Sequence, residues 1–276
     1  ERRLLDRGDF QGHGERGSRV AGPHDQPHRR SGSATLAHGL IHMRRFVLLA
    51  AMAAMAFLFT GCFGGEVASA PVRPRLTRIE TLGNQCFRIT SSLGTSILTN
   101  PYAPKTGGRT LPSPLKADIL LVTAERSDAN NINALENQPA LLRGSVGIGC
   151  ANITGVPIRG VPSYRNPEIP SADGMNLAYT WVMDGIRFCF VGNMDRLFAP
   201  DQLSQIGAVD ILFAPAKSLL TSSERDQAIK QIRPRLLIPM GKGTWLNGDV
   251  RKIESKSFSL SREMLPTQAG TLVFSK

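Results

Sequence analysis

The feature that most limits the fold is a series of short apolar runs separated by tight-turn residues. Leu76 to Leu82 and Cys86 to Thr90 flank Gly83-Asn84 and read as paired strands, and Ser96 to Thr99 adds a third. Ala117 to Thr123 is an almost continuous apolar run, as expected of a strand covered on both faces. Leu177 to Met183 and Ile186 to Val191 flank Asp184-Gly185, a strong two-residue hairpin signal. Val209 to Pro215 and Leu236 to Ile238 read as further buried strands. Helical spacing is expected over Asn131 to Leu142. A second helix is expected to open at Ser223-Glu224-Arg225-Asp226 as a capping box and to run to Ile232, before Pro234. Strands that first stand alone and then alternate with helices imply an α/β domain with a mixed sheet or two sheets. The 276 residues are 41% hydrophobic, enough for a packed core, and residues 75–276 carry neither an internal repeat nor a linker, which implies one domain.

The N-terminal quarter reads differently. Residues 1–42 lack periodicity and are expected to be an upstream extension, untranslated or disordered, with Met43 as the start. Met43-Arg44-Arg45 precedes the apolar run Phe46 to Phe59, which matches the charged and apolar regions of a secretory signal over residues 43–61. The run ends in Leu58-Phe59-Thr60-Gly61-Cys62, similar to a bacterial lipobox, in which the cysteine becomes the lipidated first residue. An uncleaved anchor is the alternative, since no charge falls between Phe46 and Glu66. Residues 62–74 then serve as a linker. The localisation expected is the bacterial cell envelope, outside the cytoplasm, with the membrane as partner through the lipid on Cys62.

Charge narrows the partners. The formal net charge of +11 falls to +7 once residues 1–61 are set aside, and no Lys/Arg-rich block or basic–aromatic interleaving stands out. Nucleic acid is therefore not expected as a partner, and anionic headgroups account for the surplus. Cys86, Cys150 and Cys189 remain after Cys62; an odd number forbids a complete disulfide framework, though one pair could be oxidised. Cys86 and Cys189 lie in strand patterns and are expected to be buried thiols.

Histidine decides the chemistry. His13, His24, His28, His38 and His42 all precede Met43, and none follows it. A histidine-ligated metal and a Ser-His-Asp triad at Ser163, Ser218, Ser222 or Ser223 are thus excluded from residues 43–276. A Ser–Lys pair using Lys217 or Lys242 has no nucleophile-elbow pattern behind it. Gly147-Ile148-Gly149-Cys150 is not a phosphate loop, because no Gly-Lys-Ser/Thr follows.

Several landmarks stand in order: Leu82-Gly83-Asn84, Thr99-Asn100-Pro101-Tyr102, the stretch Ala117 to Ala129, Gly160-Val161-Pro162-Ser163-Tyr164-Arg165, Asp184 to Asn193, and Ile238-Pro239-Met240-Gly241. Their succession resembles the metallo-β-lactamase fold superfamily, and within it the ascorbate-phosphate lactonase-like hydrolases. The resemblance implies a four-layer αββα sandwich. It also implies a ligand signature His-x-His-x-Asp-His, which falls here on Ala124-Glu125-Arg126-Ser127-Asp128-Ala129. Asp128 alone matches. The family has histidine where Arg165 and Gly241 stand, aspartate where Asn193 and Asn100 stand, and a loop histidine near Asn84; Gly241 to Trp245 replaces a metal-ligand loop. On this reading no cofactor and no metal are expected. Asp128 and Glu125 are the nearby carboxylates, but Arg126 and Arg165 would add repulsion where a cation should sit, over about 4–6 Å in a low dielectric. A carboxylate-only site would suit harder ions than zinc.

Two uses of such a site stay open. Arg126, Arg165 and Lys242, framed by Asn84, Asn130 and Asn193, could bind a small carboxylate or phosphate by bidentate bonding. Alternatively the arginines pair internally with Asp128, Glu125 and Asp195, since buried charges need partners. The expectation is a membrane-tethered, catalytically inactive protein that binds a small acidic ligand or a protein partner. The competing readings are a metal-independent or carboxylate-metal hydrolase of lactone, ester or phosphoester bonds, and a diverging chain with no selected activity.

Overall fold

The computed structural model describes residues 74–164, 174–216, 220–241 and 248–275. All of them fall in one compact unit, Pro71–Lys276. The lipobox and Cys62, together with Arg165, Lys217, Ser218, Lys242 and Trp245, lie outside the described residues.

Two mixed sheets face each other. The smaller contains β1 (Thr77–Gly83), β2 (Cys86–Thr90), β3 (Ser96–Thr99), β4 (Ile119–Leu121), β5 (Ala140–Leu142) and, from late in the chain, β13 (Ser257–Leu260), in the order β13-β1-β2-β3-β4-β5. The larger contains β6 (Gly149–Ile153), β7 (Val156–Tyr164), β8 (Met175–Met183), β9 (Ile186–Phe190), β10 (Ile211–Pro215), β11 (Leu236–Met240), β12 (Asp249–Ile253) and β14 (Gly270–Phe274), in the order β12-β14-β11-β10-β9-β8-β7-β6. Both expected hairpins form. Asp184 and Gly185 both take positive φ (51° and 77°), the backbone that a two-residue turn between β8 and β9 requires.

Alternation along the strands produces three apolar layers. Ile79, Phe87, Ile97, Leu121, Tyr179, Phe188 and Phe213 fill the space between the sheets. Helices α1 (Pro200–Ile206) and α2 (Ser222–Ile232) pack Ile206, Ala228, Ile229 and Ile232 on the outer face of the larger sheet, against Val161, Cys189 and Leu212. The outer face of the smaller sheet is covered by loop residues Tyr102, Leu111, Leu115, Ile132 and Leu135 over Leu98 and Leu120. Two sheets inside two covering layers realise the expected sandwich; on the smaller sheet the cover is loop and 3-10 turn rather than α-helix.

Two local expectations are corrected. Asn131–Leu142 is not a helix: it holds one 3-10 turn, Ile132–Ala134, and then β5. Pro139 cannot donate within a helix, and Asn137 instead turns its side chain onto the Ala117 backbone, accepting from its N–H (3.2 Å) and donating to its carbonyl (2.6 Å). The capping box of α2 lies two residues earlier than Ser223–Asp226. Thr221 is the cap, its side chain accepting from the Glu224 N–H while Glu224 accepts from the Thr221 N–H (2.8 Å). Sequence reading also missed α1, a short helix with Pro200 at its first position.

Candidate functional site

The predicted site residues that fall among the described ones lie at one end of the sandwich, where β1, β3, β4, β9 and β11 finish. Asn100 follows β3 directly and is wholly buried. Its amide donates to Thr123 Oγ1 (2.8 Å) and Gln85 Oε1 (3.2 Å), while its carbonyl accepts from the Thr123 N–H (2.9 Å). Gln85 donates onward to Asn193 Oδ1. The Asn193 N–H donates to Asn176 Oδ1 (3.1 Å), and the Asn176 amide reaches Ser163 Oγ (3.0 Å) and the Val191 carbonyl (2.9 Å). A chain of neutral amides and hydroxyls therefore runs from the smaller sheet to the larger. Two of the predicted positions, Asn100 and Asn193, are members of it. Gln85, Thr123 and Asn176 were not foreseen, since isolated polar residues beside strand ends carry no motif; Ser163 was foreseen only as a nucleophile and serves here as a partner to Asn176.

The loop after β4 carries the charged positions. Ala124 and Ala129 are buried. Arg126 folds back on Asp128 through two bonds of 3.1 Å, Nε to Oδ1 and Nη2 to Oδ2. Glu125 is held bidentately by Arg143, with Nε at 2.8 Å from Oε1 and Nη2 at 2.5 Å from Oε2, and Asn130 donates a third bond at 2.5 Å. Each carboxylate thus has its own arginine. Arg126 is thus paired with Asp128, the internal partner considered for it. Glu125 pairs with Arg143 rather than with Arg126; Arg143 was missed because it follows a strand with no signature around it. Asp195 lies 3.8 Å from Arg196.

Asn84 and Gly241 stand apart from this network. With Thr81, Gly83, Gly107, Arg109, Pro239, Phe274 and Ser275 they line a cleft of about 500 Å³. Asn84 adopts φ 50° and donates to the Thr106 carbonyl (3.1 Å), closing the cleft floor. Arg109 is exposed, and no carboxylate among the described residues pairs with it. Arg109 is thus the cation that lines this cleft. Beneath the site, the Tyr179 hydroxyl lies 2.9 Å from the Leu142 carbonyl and 3.2 Å from that of Val122, joining the ends of β5 and β4 to the larger sheet. Burial pushes this phenol far above its ordinary range, with the Glu125 charge adding to the shift. Cys86, Cys150 and Cys189 are free thiols; burial holds Cys189 up at about 12, so it is a packing group.

Two facing mixed sheets with the polar positions gathered at their common end define a metallo-β-lactamase type of architecture. The family model described as a beta-lactamase superfamily domain matches residues 78–241, more than half of the chain, and the chain belongs to that family. A metal-dependent hydrolase of Thermococcus onnurineus is 23% identical over 199 residues, covering 62% of this chain and 86% of that protein. A crystal structure from Thermotoga maritima, described as a candidate zinc-dependent hydrolase of the metallo-beta-lactamase superfamily, superposes with a TM-score of 0.56. It is 19% identical and covers 72% of this chain and 98% of its own. At that identity the likeness is one of fold.

Proposed function

We propose that this chain is a lipid-anchored protein of the bacterial envelope whose sandwich domain binds a ligand rather than hydrolysing one. The observation that carries this is the content of the ligand positions. They hold alanine, asparagine, glycine and arginine, and the one matching carboxylate, Asp128, is engaged by Arg126. Neutral amide donors and an arginine-paired carboxylate do not suit a divalent metal, which needs several anionic or imidazole ligands converging with an open position. The ligand suited to the cleft beside Arg109 and Asn84 is a small acidic compound, with the carboxylate or phosphate on the guanidinium; a protein partner is the other occupant this reading allows.

The relatives described as metal-dependent hydrolases favour a second reading, a hydrolase of lactone, ester or phosphoester bonds with a remodelled site. One experiment separates them. Protein purified from membranes is subjected to elemental analysis and assayed against simple lactones, esters and phosphodiesters, alongside Asp128→Asn. The binding reading expects no stoichiometric zinc, manganese or iron and no turnover. A reproducible one-to-one metal content, or turnover abolished in Asp128→Asn, overturns it. Intact mass checks the anchor: a mature species beginning at a diacylated Cys62 is expected, and one retaining residues before it refutes the lipoprotein signal.

A further inference from the structure

The end of the sandwich opposite the site is tied together by one turn. Asp184 accepts from Thr77 Oγ1 (2.8 Å), the Ser92 N–H (2.7 Å) and Ser92 Oγ (2.6 Å), and Arg262 Nη1 donates to the Gly185 carbonyl (3.0 Å). These bonds gather the start of β1, the Ser91–Gly94 turn, the β8–β9 hairpin and the Arg262–Met264 turn into one surface. A shallow depression lined by Pro74, Arg75, Asp184, Gly185, Ser261, Arg262 and Glu263 marks its centre.

Three observations converge on that surface. Of seven large apolar side chains exposed among the described residues, four lie here: Leu93 (87% exposed), Met264 (61%), Leu76 and, two residues before the turn, Val182. Two arginines stand exposed among them, Arg75 and Arg262, while Arg187 is half-exposed and paired with Asp210. Of the acidic groups, Asp184 is turned inward onto Thr77 and Ser92, Asp210 is paired with Arg187, and Glu263 and Asp118, the latter bound to Ser96, are exposed. Third, the described chain begins here, at Pro74. Eleven residues lie between Cys62 and Pro74, which caps the reach of a tether at about 40 Å.

We infer that this end is a membrane-contact surface, with Leu93, Met264 and Leu76 entering the interface of an anionic bilayer and Arg75 and Arg262 at headgroup level. Apolar side chains rimmed by arginine match the chemistry of that interface, where buried apolar area and attraction to anionic lipid add. A tether alone would leave the domain free to tumble; this contact fixes its orientation. The Asn84–Arg109 cleft lies beyond the far end of β1, about 20 Å away, and so is held off the bilayer. The inference rests on the anchored reading of Cys62.

The test uses the full chain purified from membranes, with Cys150→Ser and one introduced thiol, Leu93→Cys, Met264→Cys or Val146→Cys, labelled with an environment-sensitive fluorophore. Val146 is exposed near the site end and serves as the control. Cys86 and Cys189 are buried. The samples are reconstituted in vesicles of phosphatidylglycerol and phosphatidylcholine, or of phosphatidylcholine alone. Blue-shifted emission is expected at Leu93 and Met264 on the anionic vesicles and not at Val146. Arg75→Glu with Arg262→Glu should return the two shifted labels to their values on neutral vesicles. Equal emission at all three positions overturns the inference, as does a shift that appears without vesicles and grows with protein concentration, which would place a second copy on this face. Leu93 is at a turn tip, so its variant folds even if Met264→Cys does not. Mass analysis of the same samples reads the anchor separately: an unmodified Cys62 takes a second label and refutes the tether while leaving the fluorescence result to judge the surface.

Discussion

Replacing Asn100 tests whether the amide chain between the sheets is the clamp that its geometry suggests. Asn100→Ala removes two donated bonds and one accepted bond in a site with no solvent exposure. The Thr123 N–H is left unpaired at about 1–3 kcal/mol, and the two severed side-chain bonds add about 1 kcal/mol each. Asn100 also sits at φ 38°, where alanine costs about 1 kcal/mol more than asparagine. The expected loss is about 4–6 kcal/mol, read by urea unfolding at constant m-value. Asn100→Asp keeps the shape but places a carboxylate among neutral partners. Its burial raises the folded pKa above the unfolded value of about 3.9. Such a group is tolerated in acid and lowers stability as pH rises through that interval. Asn100→Asp should therefore be closest to the parent near pH 4 and weakest at neutral pH. An Asn100→Ala loss below about 1 kcal/mol, or an Asn100→Asp difference that ignores pH, refutes the clamp.

Three further outcomes follow. Burial pushes the Asp210 carboxyl up, but three bonds from Arg187 at 2.8–2.9 Å, with the nearby Arg262 charge, hold it below the usual carboxylate range. The stability it contributes is present above about pH 4 and lost as pH falls through the depressed folded value, so Asp210→Asn should flatten the acid limb of a stability–pH profile. Tyr179→Phe leaves the Leu142 and Val122 carbonyls without their shared donor and should lower stability by about 1–2 kcal/mol without moving the fold, measured by denaturation and circular dichroism. Gly192 has φ 60°, and an added Cβ would stand 2.5 Å from Thr123 Oγ1 and overlap Asn176 Oδ1; Gly192→Ala should cost about 2–4 kcal/mol in the same assay.

The strands were legible wherever apolar alternation met a turn residue. Asp184-Gly185 and Gly83-Asn84 announce hairpins because few other residues accept positive φ at both turn positions. Asn131–Leu142 misled because helix and strand spacings overlap in short runs, and the bond between Asn137 and Ala117 that decides the matter joins residues 20 apart. At the site, the positions of Asn84, Asn100, Asp128, Asn193 and Gly241 could be read from the order of landmarks. Their partners could not. That Arg143 and not Arg126 holds Glu125 depends on β5 lying beside β4, a pairing that no local pattern encodes. For the same reason Arg109 was overlooked: it enters the cleft only because the loop after β3 folds back over Gly83.

In a metal-dependent sandwich the ion joins the strand ends, and its binding free energy is also folding free energy. Here the same ends are joined by other means. Asn100 and Thr123 bind β3 to the end of β4, Gln85 and Asn193 cross between the sheets, and Arg143 draws β5 onto the Glu125 loop. None of these bonds uses a divalent ion, and Asp128 is engaged by Arg126. Stability should then be indifferent to metal activity. Linkage makes this measurable: a site filled at 100 times its Kd contributes about 2.7 kcal/mol, equivalent to a melting shift of about 5–11 °C for a domain of this size. The expected result is an unchanged Tm on adding a strong chelator and again on adding excess zinc. A Tm lowered by chelator and restored by one metal would mean that the amide chain supports a bound ion instead of standing in for it.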